Sequence, residues 1–247
     1  MSEMIKPESS DPSMSSSVTS DVAEMQSIGS PGELASFLKG KRLFIPISLG
    51  NHYYSSSVMR RLVKDFVAQS DQAIIFLCDR LRLLSYLIRG KRDLDGINFS
   101  ISKQMDQIVA ALKNVGLELY SNGRVENWSF CQNDGRYAQL LSNLTHAVRH
   151  DPVLWAELEA NVRRALRVHG ASAEMDGVEC AHLQAEYIIE ETALSVYMTE
   201  IVGFNFEVYR RGLGFVDYLY DYHPLTIKSL TGKSILHKRF VSLENYG

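Results

Sequence analysis

Between residues 42 and 113 the hydrophobic positions fall into two kinds of run. Arg42-Leu43-Phe44-Ile45-Pro46-Ile47-Ser48 and Gln72-Ala73-Ile74-Ile75-Phe76-Leu77-Cys78 are apolar almost without interruption. A strand exposed on one face alternates apolar with polar residues, so unbroken runs of this length predict strands buried on both faces. The first run ends in Leu49-Gly50-Asn51, a tight-turn sequence. Residues 56–68 place Val58, Leu62 and Phe66 on one side and Arg60, Arg61 and Lys64 on another, as an amphipathic helix does. Asp79 follows the second run, and its carboxylate suits a helix cap. The order strand, helix, strand, helix predicts an α/β fold, a Rossmann-like parallel sheet flanked by helices on both faces.

Further along, Met105, Ile108, Val109 and Leu112 mark a helix over residues 102–114, stopped by Gly116. A third strand is expected at 124–130. Helices are expected at 134–149, at 152–168 with Pro152 at a first helical position, and at 178–197. Tyrosine-rich 218–222 reads as a late strand and 238–243 as an edge strand. Residues 1–35 hold ten serines and few large apolar side chains. Such a segment buries too little surface to offset its ordering entropy, so a disordered tail is expected. Order should begin near Pro31 or Gly32, with 36–247 forming a single domain.

Composition changes this picture little. With 247 residues, 45% hydrophobic and 22% charged, the chain can build one sizeable core, which excludes collagen-like and wholly disordered classes. Three cysteines (Cys78, Cys131, Cys180) are too few for a disulfide scaffold and suit a reducing compartment. No run of about 18 apolar residues exists to span a bilayer, and no apolar stretch follows the N-terminus. A cytoplasmic protein that does not engage membranes is therefore expected.

Charge adds a partner. The net charge is -3, yet residues 39–113 carry 13 Lys/Arg against six Asp/Glu. A basic third on an acidic protein can meet a polyanion, although solvated helix faces give the same pattern.

Several familiar chemistries are missing. Gly212 and Gly214 begin a dinucleotide fingerprint, but the third glycine position holds Asp217. Gly232-Lys233-Ser234 imitates the end of a phosphate loop whose first glycine is here Ile227. No nucleotide cofactor is expected. His146 with His150, and His182 with Glu186, share helix faces but lack a third ligand, so no metal is expected. The nucleophile elbow of serine hydrolases is absent as well.

Three local features remain. Ser48 ends the first strand, where open parallel sheets bind ligands, and Gly50 permits a turn that closes on a substrate. Tyr187 and Glu191 stand four residues apart within the apolar stripe Leu183, Tyr187, Leu194, Met198 of the long helix. A carboxylate on such a face needs a partner, and a substrate ammonium is a fitting one. Glu190 would be its solvent-facing neighbour. Tyr222-His223-Pro224 ends the expected late strand.

Together these features resemble the cyclodipeptide synthases. Ile47-Ser48-Leu49-Gly50-Asn51-His52-Tyr53-Tyr54-Ser55 is similar to that family's serine loop, and Tyr187-Ile188-Ile189-Glu190-Glu191 to its Tyr-x-x-x-Glu helix. Tyr222-His223 resembles the Tyr-His pair that, with asparagine at the Asn51 position, marks one branch. The likeness spans roughly residues 38–243. Pro46 stands where a glycine is common, and 204–214 reads as an insertion, which leaves Tyr209 as the second choice for the strand-end tyrosine.

The resemblance implies a fold like the catalytic domain of class I tyrosyl- and tryptophanyl-tRNA synthetases. It implies two aminoacyl-tRNAs as substrates and a 2,5-diketopiperazine as product, formed without ATP or cofactor through aminoacyl- and dipeptidyl-serine intermediates in a ping-pong cycle. Ser48 would be the nucleophile, Tyr187 and Glu191 the holders of the ammonium, and Tyr222 a proton relay. Asn51 and His223 would order the loop around Gly50. Arg80, Arg82, Arg89, Lys91, Arg92 and Lys103 are the candidates for tRNA contact. Leu43, Ile45, Phe76 and Leu219 are candidate pocket walls, and a monomer is expected. The alternatives are a non-catalytic tRNA-binding module and a serine esterase. The first predicts a replaced serine or glutamate, and the second a histidine and acid beside Ser48.

Overall fold

The computed structural model describes residues 31–169, 177–209, 214–233 and 240–242. Five strands form one parallel sheet: β1 (Arg42–Ile47), β2 (Gln72–Leu77), β3 (Gly123–Asn127), β4 (Phe206–Tyr209) and β5 (Phe240–Ser242), in the order β3-β2-β1-β4-β5. The central strand β1 pairs with β2 on one side, Arg42 opposite Gln72, and with β4 on the other, Leu43 opposite Phe206. The chain winds outward from β1 to β3, then returns to continue from the opposite side of β1. This reversal leaves a crevice beyond the carboxyl ends of β1 and β4, where open α/β sheets bind ligands.

The expected burial on both faces is observed. Leu43, Ile45, Ile47, Ala73, Ile75, Leu77, Phe206 and Val208 point to one face and are wholly or almost wholly buried. They pack on α1 (Pro31–Leu38), on α2 (Ser56–Arg61), on the π-turn Leu62–Phe66 that continues it, and on α4 (Leu94–Asn114). Phe44, Ile74, Phe76 and Cys78 point to the other face. There they meet α3 (Asp79–Ile88), α5 (Trp128–Gln132), α6 (Gly135–His150), α7 (Pro152–His169), α8 (Gly177–Val196), α9 (Gly214–Tyr222) and α10 (Pro224–Thr231). Removing a Leu, Ile or Phe side chain of this size from water stabilises by ~1.5–3 kcal/mol, so both layers adhere without polar help.

Several expectations are corrected. Residues 31–35 belong to α1, and Leu34 enters the core, so the tail does not extend to residue 35; residues 1–30 lie outside the described residues. The third strand stops at Asn127, whose side chain caps α5 by accepting from the Ser129 N–H at 3.0 Å. Asp79 is the first residue of α3 rather than its cap. Its Oδ1 accepts from the Trp128 N–H at 3.0 Å and ties α3 to the start of α5. Residues 218–222 are helical. Phe215, Val216, Leu219 and Tyr220 are the buried positions of α9, a helix period that outweighs the strand preference of three tyrosines. An edge strand does form at Phe240–Ser242. Among the described residues no helix is long and apolar enough to cross a membrane.

Candidate active site

Side-chain alternation decides what faces the crevice. Ser48 follows β1 in phase with Phe44 and Pro46, and Tyr209 ends β4 in phase with Glu207; all five line one inner recess. Ser48 Oγ and Tyr209 Oη are 2.6 Å apart, a hydrogen bond across the point where the strand order reverses. Burial and the negative charge of Glu191 push the Tyr209 phenol above its usual range, so at neutral pH it carries its proton.

The loop after Ser48 is held from within. The Asn51 N–H donates to Ser48 O (3.3 Å), Asn51 Oδ1 accepts from the Tyr53 N–H (3.0 Å), and Tyr54 Oη donates to Pro46 O (3.1 Å). Gly50 has φ +72, and a Cβ there would lie 2.4 Å from Arg82 Nη2. The Arg82 guanidinium lies over the Tyr86 ring at 4.3 Å, with Nε donating to Gln104 (3.2 Å) and Nη2 to Tyr86 Oη (3.2 Å). Gly50→Ala should therefore strain the loop by ~1–2 kcal/mol, lower Tm by ~2–8 °C and displace Arg82. Thermal denaturation beside a product assay checks this; an unshifted Tm would show that the loop adopts another backbone path.

Opening outward, a cavity of about 840 Å³ is lined by the serine loop, α3, α7, α8, Tyr209 and the first turn of α9. From α8 it takes Gln184, Tyr187, Ile188, Glu191 and Thr192, the i, i+3, i+4, i+7, i+8 face of one helix. Tyr187 and Glu191 thus share a cavity with Ser48. Burial foremost, then the charge of Glu191, holds the Tyr187 phenol well above its usual range. Glu190, one residue and a ~100° turn away, is not solvent-facing. It is buried against α3, where Arg80 Nε donates to its Oε1 (3.0 Å) while Arg80 Nη2 meets Glu186 (2.6 Å).

Other predicted residues lie elsewhere. Tyr222 ends α9, is 72% exposed and does not line the cavity. His223 is the N-cap residue just before α10, its Nε2 3.2 Å from Tyr218 Oη. The tyrosine at the strand end is Tyr209, followed in sequence by Arg210, so the Tyr-His pair does not stand at the end of β4. Tyr209→Phe should lower product formation ~10–100-fold through the lost Ser48 contact and relay, and Tyr222→Phe should stay within about twofold. The reverse order in a side-by-side yield assay would restore Tyr222.

Of the basic candidates, Arg82 and Arg89 line the cavity. Arg80 is engaged with α8, and Arg92 donates to Glu179 (2.8 Å) and to Leu87 O (2.9 Å). Lys91 and Lys103 are exposed and away from the cavity. Leu43, Ile45, Phe76 and Leu219 are core residues and do not line it; Leu43 and Ile45 point to the opposite sheet face. Sequence reasoning missed Asn161, Arg164 and Phe215. The alternation Phe204, Phe206, Val208 against Asn205, Glu207, Tyr209 was a legible strand signal for Tyr209. Among the described residues no group of three or more His, Cys, Asp or Glu side chains could hold a metal.

A parallel sheet with a serine and a phenol at its switch point, facing a helix-borne Tyr/Glu pair, defines a Rossmann-like α/β protein with these four groups in one cavity. The family model described as cyclodipeptide synthase matches residues 35–232, and the chain belongs to that family, a family of tRNA-dependent transferases. Solved structures agree on the fold. A Mycobacterium tuberculosis protein, described as showing that cyclodipeptide synthetases are related to type I tRNA synthetases, is 22% identical, with 81% of each chain covered and a TM-score of 0.63. A cyclodipeptide synthase from Fluoribacter dumoffii is 18% identical over 82% of this chain and 89% of that one, with a TM-score of 0.67. A tyrosyl-tRNA synthetase from Archaeoglobus fulgidus is 13% identical over 91% and 63%, with a TM-score of 0.53. No curated protein matches the sequence.

Proposed function

We propose that this protein joins two aminoacyl groups, each delivered as an aminoacyl-tRNA, into a cyclic dipeptide, with Ser48 carrying the intermediates in a ping-pong cycle that needs no ATP. The observation that carries the reading is the Ser48–Tyr209 hydrogen bond at the β1/β4 switch point, in one cavity with Tyr187 and Glu191.

Ser48 Oγ attacks the ester carbonyl of the first substrate, the ester C–O bond breaks, and the ribose oxygen leaves with the serine proton. Tyr209 is protonated and in contact with Oγ, so it passes that proton on rather than removing it outright. A phenol is a poor base, but an aminoacyl ester is already activated and needs no strong one. This also separates the site from a serine esterase, because the hydrogen-bond partner of Ser48 is a phenol and not an imidazole. The amine of the Ser48-bound residue then attacks the ester of the second aminoacyl-tRNA, which releases tRNA and leaves a dipeptide on Ser48. Glu191 holds the ammonium and accepts its proton as the amine becomes nucleophilic. Attack of the free terminal amine on the Ser48 ester closes the six-membered ring and regenerates the serine. Arg82 and Arg89, at the cavity wall, meet the RNA backbone.

Expression in a bacterial host, followed by mass spectrometry of the medium, tests the reading. New diketopiperazines are expected, and a host producing none from abundant folded protein would refute it.

A further inference from the structure

The cavity wall carries a third guanidinium that no sequence motif marked. α8 packs between α3 and α7, so the cavity over α8 has an α3 wall bearing Arg82 and Arg89 and an α7 wall bearing Asn161, Arg164 and Ala165. Arg164 Nη1 donates to Asn161 Oδ1 at 3.3 Å. Asn161 is 9% exposed, and its orientation is set from behind: Nδ2 donates to Glu157 O (3.0 Å) and to Glu157 Oε1 (2.8 Å), which leaves Oδ1 for the guanidinium. Gly214, at the start of α9, makes room for both. A Cβ there would lie 2.7 Å from Asn161 Oδ1 and 3.6 Å from Arg164 Nη1.

The neighbouring Arg163 pairs with a carboxylate, Glu159, at 3.6 Å. Arg164 is oriented by a neutral amide instead, and among the described residues it has no carboxylate within salt-bridge distance. Its charge therefore stays available to the cavity. Among the cavity-lining side chains three guanidiniums outnumber one carboxylate, Glu191. Such a wall favours an anionic occupant, and a planar fork of donors matches its paired oxygens.

We infer that Arg164, aimed by Asn161 and admitted by Gly214, is an anion-recognition point on the α7 wall that binds an anionic oxygen group of an incoming aminoacyl-tRNA. The inference rests on the proposed function and names a recognition element within it. Two parts of that substrate carry the required chemistry: a phosphodiester near the RNA 3′ end, and the side-chain carboxylate of an acidic amino acid.

The test compares the full-length protein with Arg164→Ala, Arg164→Lys and Asn161→Ala. Three readouts are needed: cyclic dipeptide yield, product identity, and the salt dependence of binding to an uncharged tRNA transcript. Arg164→Ala should lower yield ~10-fold or more, Arg164→Lys should recover part of it, and Asn161→Ala should fall between. If the group is a phosphodiester, all products fall together and the slope of log affinity against log salt shrinks by ~0.7–0.9. If it is a side-chain carboxylate, the slope is unchanged and products containing Asp or Glu give way to neutral ones. Arg164→Ala matching wild type in yield, identity and slope would overturn the inference. Wild-type protein yielding no cyclic dipeptide would instead defeat the reading on which it stands.

Discussion

Ser48→Ala is expected to abolish cyclic dipeptide formation, a loss of at least ~10³-fold, and to erase the covalent aminoacyl adduct seen in the intact mass of wild-type protein incubated with charged tRNA. The expectation follows from position. Ser48 stands at the carboxyl end of the central strand, on the sheet face shared with Phe44 and Pro46, and its Oγ contacts the Tyr209 phenol at 2.6 Å. Alanine keeps the backbone hydrogen bond from the Asn51 N–H to residue 48 and removes one half-buried oxygen, so folding should be spared. The Tyr209 hydroxyl loses its partner but faces a cavity that water can enter. Thermal stability should stay within ~0.5–1 kcal/mol of wild type, which separates chemistry from unfolding. A mutant that still makes product at the wild-type rate would show that the acyl groups never pass through this oxygen. A non-catalytic tRNA-binding module would form no adduct in either protein.

Glu191→Gln should reduce turnover by ~10²–10⁴-fold at an almost unchanged shape. The amide still hydrogen-bonds, so what disappears is the negative charge that attracts an ammonium and the base that takes a proton from it. Tyr187 lies one turn earlier on the same face, its phenol kept protonated by burial and by this carboxylate, and cannot substitute as a base. The step affected is also predictable. First acylation consumes no amine, so the Ser48 adduct should still form and then accumulate, because the bound residue no longer becomes a competent nucleophile. Intact-mass analysis with time reads this directly. Full turnover in Glu191→Gln, or an adduct lost as completely as in Ser48→Ala, would assign the carboxylate a different duty.

Much of this architecture was legible before any coordinates. Unbroken apolar runs at 42–48 and 72–78 required cover on both faces, and both faces are covered. The serine loop and the Tyr187/Glu191 pair could be marked because each is local: a few residues whose spacing already fixes a turn or a helix face. The strand-end tyrosine was misread for the opposite reason. The run 218–222 has strand-forming composition, and only the burial of Phe215, Val216, Leu219 and Tyr220 against the helical layer makes it α9. The alternation over 204–209 does signal β4, but a strand of four residues alternates too briefly to stand out from a loop. That its polar side is buried, with Glu207 accepting from Ser195 Oγ at 2.5 Å, shows only once the partner twelve positions away is in place.

The same division runs through the basic residues. Their clustering between 39 and 113 is a property of the chain, but their duties are not. Arg80 turns to Glu186 and Glu190, Arg92 to Glu179, and Arg82 and Arg89 to the cavity, although all four lie within 13 residues. Residue order alone thus determined the strand, helix, strand, helix succession from β1 to α3, the reactive loop and the acidic helix face, because those depend on period and near neighbours. Which tyrosine meets Ser48, which arginines face the cavity and how α7 comes to supply Arg164 were settled by packing. Those choices depend on sheet order and on which helices lie beside α8, contacts between segments as far apart as Ser48 and Tyr209, 161 residues, that no local pattern encodes.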